Sequence, residues 1–219
     1  MNLIFLVFIS IPKSLYFNLK YFPVKTALHF PVLINYRTEL KTLKGKIILP
    51  SKSSFGLVKI GFSGSYALGG GVKSYFENEG LIEFVGKATF SRGTQIIVGE
   101  KGILRFGADF RCNSNCIFNA RTKISFGDDC LLSWDITLMD SDGHTIINLA
   151  EGSLAEQAKN ISIGSHVWIC SGVTILKGVY IGNHTIIAAG SIITKRIDGE
   201  HILIGGHNKI LKREIDWEV

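Results

Sequence analysis

Between Ile163 and Ile193 an aliphatic residue returns at every sixth position: Ile163, Ile169, Ile175, Ile181, Ile187, Ile193. Four places after each stands a small or β-branched residue: Val167, Val173, Val179, Thr185, Ser191. Glycine follows the aliphatic at Gly164 and Gly182. A period of six fits neither a 3.6-residue helix nor a two-residue strand, and the run is too long for a single strand. A fixed six-residue repeat marks a parallel β-helix, in which each hexad supplies one short strand and one corner. Three hexads close a triangular coil, and each coil stacks on the next at strand spacing, about 4.8 Å.

The same repeat extends upstream through Phe106, Cys112, Phe118 and Ile124. The frame restarts after Phe126-Gly127-Asp128-Asp129 and continues at Leu132 and Leu138. Residues 51–100 carry weaker echoes of it, in LVKIGF, LIEFVGKATFSRG and IIVGEKG. Residues 1–50 show none, so they are expected to form a cap, part helix and part strand, over one end. The sequence thus divides into a cap (1–50), a solenoid (51–205) and a short tail (206–219). The tail is expected to fold back over the last coil, whose edge would otherwise stay open. Residues 140–160 lack the repeat and are too long for a corner. A loop of that size between regular stretches is usually functional or disordered.

The chain has 219 residues, 46% hydrophobic and 19% charged, with 24 glycines, which suits a many-cornered all-β solenoid better than a helical bundle. The formal charge of +6 would tolerate an anionic partner. The basic residues form no long run and no nucleic-acid motif is present, so nucleic acid is not an expected partner. Cys112, Cys116, Cys130 and Cys170 match no zinc spacing and are expected to be small core residues in a reducing cytoplasm. The opening MNLIFLVFISIP has no basic start and no small-x-small cleavage site, and Pro12 is expected to end it, too early to span a bilayer. It reads as a buried element. Alternatively, with Lys13, Lys20 and Lys25 interleaved among Tyr16, Phe17, Tyr21 and Phe22, it reads as a peripheral contact to an anionic membrane.

Within the interrupting loop, MDSDGH presents His144 behind Asp140 and Asp142. An imidazole can take a proton from a hydroxyl near neutral pH, and a carboxylate such as Asp142 can orient it. The alternative is a solvated loop histidine. His166 and His184 are one coil apart and should stack on one edge. Zinc is conceivable there, but no third ligand is apparent, and the expectation is solvated corner residues and no metal. Ser171 lies in no G-x-S-x-G elbow, so it suits a hydrogen-bonding role better than a nucleophilic one. Trp168 could pack subunits or offer a flat surface to a ligand. Lys195, Lys209 and Lys212 follow the last clean hexads and could hold phosphates as point charges, or form a solvated basic tail.

The segment IGSHVWICSGVTILKGVYIGNHTIIAAGSIITK resembles the hexapeptide-repeat acetyltransferases, above all the galactoside and maltose O-acetyltransferases and those of capsule and lipopolysaccharide gene clusters. The resemblance covers roughly residues 103–215 and is carried by V-W-I and G-S-I-x-T-K. It implies a left-handed parallel β-helix that transfers an acetyl group from acetyl-CoA to a sugar hydroxyl in surface-polysaccharide synthesis. It places the catalytic base at His144. It puts Trp168 and Ser171 along the pantetheine arm, Ala189, Thr194 and Lys195 along the bound CoA, and Lys209 and Lys212 at its phosphates. Those last positions are commonly arginine in the family, so lysine keeps the charge without the two-pronged grip. Asn113, Asn115 and Trp134 are candidates for the acceptor sugar. The family is a homotrimer with each site between two subunits. An amino-sugar N-acetyltransferase, a zinc-dependent carbonic anhydrase-like enzyme and a non-catalytic scaffold are the competing readings.

Overall fold

The structure, a computed structural model, describes residues 3–62 and 72–218; Met1, Asn2, residues 63–71 and Val219 lie outside it. Successive strands pass to three different sheets of nine, seven and six strands, so the chain winds as a three-sided prism. It is a left-handed parallel β-helix. The register follows the hexads: Ile163 pairs with Ile181, Ile169 with Ile187 and Ile175 with Ile193, each 18 residues on. All six repeating isoleucines are buried, as are Val167, Val173, Val179, Thr185 and Ser191. Each hexad therefore turns two side chains inward. A fully buried aliphatic side chain contributes about 1.5–3 kcal/mol, and the axial column of them holds the coils in register. Lower down the column is aromatic, with Phe106 and Phe126 stacked one coil apart at 5.7 Å between ring centroids.

The corners are set by backbone angle. Where the six-stranded face turns into the nine-stranded face, Asp109, Asp129, His166, His184 and His201 all have positive φ, between 51° and 55°. Asp and His are among the few side chains that tolerate this region. Coils also approach too closely for side chains at some corners: a Cβ on Gly107 would collide with the Gly127 carbonyl.

The solenoid begins earlier than the sequence suggests. Three strands inside the expected cap, β1 (Val32–Ile34), β2 (Glu39–Leu43) and β3 (Lys46–Ile48), form a first coil, one strand on each sheet. Its repeat is hidden because stretches of uneven length separate the inward residues of β1, Val32 and Ile34, from Ile47 on β3. The remaining cap is α1 (Leu3–Tyr21) and α2 (Val24–Ala27). Pro12 does not end α1. It lies on the exposed face, as does Phe8, whose carbonyl it leaves without a helical donor. At 19 residues α1 is long and apolar enough to cross a membrane by length and composition alone.

One stripe of α1 is polar and buried: Ser10, Ser14 and Asn18, spaced four apart. It stands in for a missing strand beside β1. Ser14 Oγ accepts from the Ile34 amide at 2.9 Å, and Ser10 Oγ accepts from the Tyr36 amide at 3.0 Å. At the other end, residues Lys209–Arg213 form a strand antiparallel to Ile202–Gly205 and cover the last nine-stranded edge. Three of the cysteines are buried, but Cys170 is only half-buried, because it follows Ile169 at an outward corner place. All four are free thiols, and burial pushes Cys130 up to about 12, far from a working nucleophile.

Candidate active site

The strand Thr137–Met139 of the seven-stranded sheet ends at Asp140, and there the coil is interrupted. Asp140 is fully buried. Its carboxylate accepts hydrogen bonds from the amides of Arg121 (2.7 Å) and Thr122 (2.8 Å) and from the Thr122 hydroxyl (3.0 Å). That grip ties the root of the interruption to the coil below. Beyond it the chain forms an antiparallel arm. Asp142 donates its amide to Gln157 O (3.0 Å), and Ile147–Asn148 pairs with Ser153–Leu154. The arm projects from the prism with its apolar side chains bare; Leu149 is 92% and Leu154 67% exposed.

His144 lies on this arm, exposed, with no hydrogen bond or ion pair to the other described residues. Asp142 does not orient it. The Asp142 carboxylate pairs with Lys177, which also donates to the Glu156 carbonyl at 2.6 Å. Lys177 is a residue the sequence reading passed over. It sits on the next coil at the same corner and locks both limbs of the arm to the solenoid. No sequence signal joins residues 35 positions apart across an irregular loop.

Beneath the arm is a groove of about 360 Å³ lined by Ala155, Glu156, Lys159, Lys177, Gly178, Thr194, Lys195 and Arg196. Four cations line it against one carboxylate, so it favours an anionic ligand. Lys159 is paired with Glu156 at 3.1 Å, and the Arg196 guanidinium lies over the Tyr180 ring at 4.1 Å while bonding Asp198. Lys195 is exposed and makes no ion pair among the described residues. Thr194 is held in place by Asn208, which accepts from its amide at 2.8 Å.

The other predicted residues lie elsewhere on the prism. Ser171 and Ala189 are at the corner between the nine- and seven-stranded faces, joined through the bond from the Gly190 amide to Ser171 O at 2.9 Å. Asn113, Asn115 and Trp134 are at that corner too; Asn115 donates to Asp135 at 3.1 Å, and the Trp134 carbonyl accepts from Gly172. Trp168 is on the nine-stranded face, half-buried, with Nε1 donating to Ser133 Oγ at 3.3 Å. Lys209 and Lys212 are exposed on the final antiparallel strand. A single protomer therefore does not bring His144 against Trp168 or Ser171.

His166 and His184 stack as their spacing requires, with ring centroids 5.0 Å apart. They are not simply solvated. Burial alone would lower the pKa of His166, but its hydrogen bonds to the Asp129 carboxylate and the Trp217 carbonyl, with the charges of Asp129 and Asp216, hold it above the usual value.

Comparison with known proteins agrees with this architecture. Residues 160–195 match the family described as bacterial transferase hexapeptide (six repeats). A polysialic acid O-acetyltransferase of Escherichia coli O1:K1 / APEC is 36% identical over 132 residues, 60% of this chain and 41% of that protein. A polysialic acid O-acetyltransferase of Neisseria meningitidis is 38% identical over 66 residues, 30% of this chain and 31% of that protein. The chain thus spans less than half the length of either relative. The solved polysialic acid O-acetyltransferase OatWY superposes with a TM-score of 0.51 at 24% identity, covering 86% of this chain and 71% of that one. Residues 160–195 are hexapeptide repeats of the bacterial transferase kind, wound into a left-handed parallel β-helix.

Proposed function

We propose that this chain is a cytoplasmic acetyl-CoA-dependent O-acetyltransferase that acts on a sugar hydroxyl in surface-polysaccharide synthesis. The observation that carries the reading is an imidazole on a projecting arm, His144, rooted beside a lysine-lined groove on a hexapeptide solenoid. Relatives that share over a third of the aligned residues carry the name polysialic acid O-acetyltransferase, which supports a saccharide acceptor.

In this mechanism His144 accepts the proton of an acceptor hydroxyl as its oxygen attacks the thioester carbonyl. The C–S bond breaks, the acetyl group passes to the sugar oxygen, and the imidazolium returns the proton to the departing thiolate. No acyl-enzyme forms. Lys195, Lys209 and Lys212 supply charge for the phosphates of the donor, and Thr194 and Ala189 line its path. Trp168 and Ser171 flank the thioester end.

His144 and Trp168 belong to different parts of the prism, so the working site is completed by a second copy of the chain, in a homotrimer. The bare apolar arm supports this, since Ile146, Ile147, Leu149 and Leu154 are each more than half exposed among the described residues. The test is subunit complementation. His144→Ala and Trp168→Ala are each expected to lower kcat by about 100-fold or more, the range of a lost general base or an oriented contact. Oligomers reassembled from the two inactive variants should recover a fraction of sites that pair an intact His144 with an intact Trp168. Failure to recover any turnover from mixed oligomers would reject the shared site, and wild-type turnover in His144→Ala would reject the base.

A further inference from the structure

At the corner between the six- and nine-stranded faces, three imidazoles stack along the solenoid axis, one per coil. His166, His184 and His201 all adopt left-handed backbone angles, with φ of 55°, 51° and 53°. His184 and His201 lie with ring centroids 4.5 Å apart. The last residues of the chain return to this ladder. Asp216 places Oδ2 3.0 Å from His184 Nδ1 and 3.5 Å from His201 Nδ1, and Oδ1 3.4 Å from His166 Nε2. Trp217 is buried, stacks on the His166 ring at 4.3 Å and donates from Nε1 to the His166 carbonyl at 2.9 Å.

His166 is oriented as a ligand. Its Nδ1 meets Asp129 Oδ2 at 2.7 Å, and Asp129 is itself held by Arg111 at 2.8 Å. A carboxylate there keeps the proton on Nδ1 and aims the lone pair of Nε2 the other way, the arrangement that supports metal-bound histidines. On that side Nε2 meets oxygens: the Trp217 carbonyl at 3.0 Å and Asp216 Oδ1 at 3.4 Å. A neutral ring cannot donate from both nitrogens. A second proton or a cation must therefore stand between Nε2 and those oxygens. One ligand atom each from His166, His184 and Asp216 lies within 4.8 Å of the others. Ligands bonded to a tetrahedral zinc-class ion at about 2.0–2.1 Å stand roughly 3.4 Å apart, so small side-chain rotations close the set.

We propose that His166, His184 and Asp216 form a binding site for a divalent transition-metal ion of the zinc class, which staples the end of the chain to two successive coils. Two imidazoles and one carboxylate suit such an ion better than magnesium or calcium, which take oxygen ligands. Asp129 is the outer carboxylate that sets His166, and His201 Nδ1 approaches the same Asp216 Oδ2 that meets His184. The staple would also fix Trp217, whose ring centroid lies 6.1 Å from that of Trp168. The site occupies a different corner from the arm, so it stands whether or not the acetyl-transfer reading does.

The test uses the 219-residue chain without a histidine tag, stripped by chelator and titrated with Zn²⁺ and Co²⁺. Calorimetry should show about one equivalent of Zn²⁺ per chain, with a rise in Tm that chelator reverses, since an ion bound only to the folded state must stabilise it. Asp216→Asn and His184→Asn should each weaken Zn²⁺ binding by about 100-fold. Asparagine at 184 keeps a side chain that tolerates the left-handed angle, so that variant should fold. His29→Asn, at the opposite end of the solenoid, should bind as before. Binding well below one equivalent overturns the proposal, as does full-strength binding in either site variant.

Discussion

Asn18 closes on both backbone groups of Val32: its Nδ2 donates to the Val32 carbonyl at 2.7 Å, and its Oδ1 accepts from the Val32 amide at 3.2 Å. A helix side chain here does the work of a neighbouring strand. The first coil of a solenoid has an open edge, and an open edge invites pairing with another chain. Ser10, Ser14 and Asn18 seal that edge without extending the sheet. Asn18→Ala leaves two buried backbone groups unsatisfied, which typically costs about 1–3 kcal/mol apiece. The variant should unfold at lower denaturant and aggregate more readily, as read by circular dichroism and light scattering. A midpoint equal to that of the parent chain would show that the seal is not needed.

Asp140 should be the most costly single change at the root of the arm. Its buried carboxylate accepts three hydrogen bonds from two successive residues of the coil below. Asp140→Ala removes all three acceptors and should destabilise the chain by about 3 kcal/mol or more. Asp140→Asn keeps the shape but turns one acceptor into a donor facing another donor, and should cost nearly as much. Thermal unfolding of both variants measures this.

Asp142 and Lys177 act as a pair, and pairing makes a specific forecast. If their shared role is to hold the arm, Asp142→Asn and Lys177→Met should lower kcat/KM by a similar factor, about tenfold. The double variant should be little worse than either, because both remove one interaction. The pH profile of kcat should keep its shape in all three. A loss confined to Asp142→Asn, with a displaced profile, would instead make Asp142 the partner of His144.

The outer face of α1 should contact lipid. Ile4 is 77% and Phe8 74% exposed, with Phe5, Tyr16 and Leu19 also bare, while Lys20 stands at the helix end. Apolar residues beside lysines favour an anionic bilayer surface. The chain is expected to co-sediment with vesicles containing phosphatidylglycerol and much less with neutral ones. Phe5→Asp/Phe8→Asp should abolish that binding while leaving unfolding unchanged. Equal recovery in the pellet for the parent and the double variant would sink the idea.

The six-residue period by itself determined the solenoid. Ile163 to Ile193 lie on one buried axis, and the offset of 18 that pairs Ile163 with Ile181 can be counted in the sequence. That is possible because the repeat is local: each coil contacts only its neighbours, so one period sets both the strand and its partner. The same regularity foretold the stacking of His166 on His184, and the break in it marked out the arm that bears His144. What the repeat does not cover was decided by tertiary structure. The first coil was hidden by irregular corners. Pro12 sits harmlessly inside α1 because of the face it occupies. Lys177 claims Asp142, and Asp216 joins the histidine ladder from 32 residues beyond His184, through folds of the chain that carry no period. Such contacts depend on where an irregular segment lands in space, and one-dimensional spacing holds no record of that.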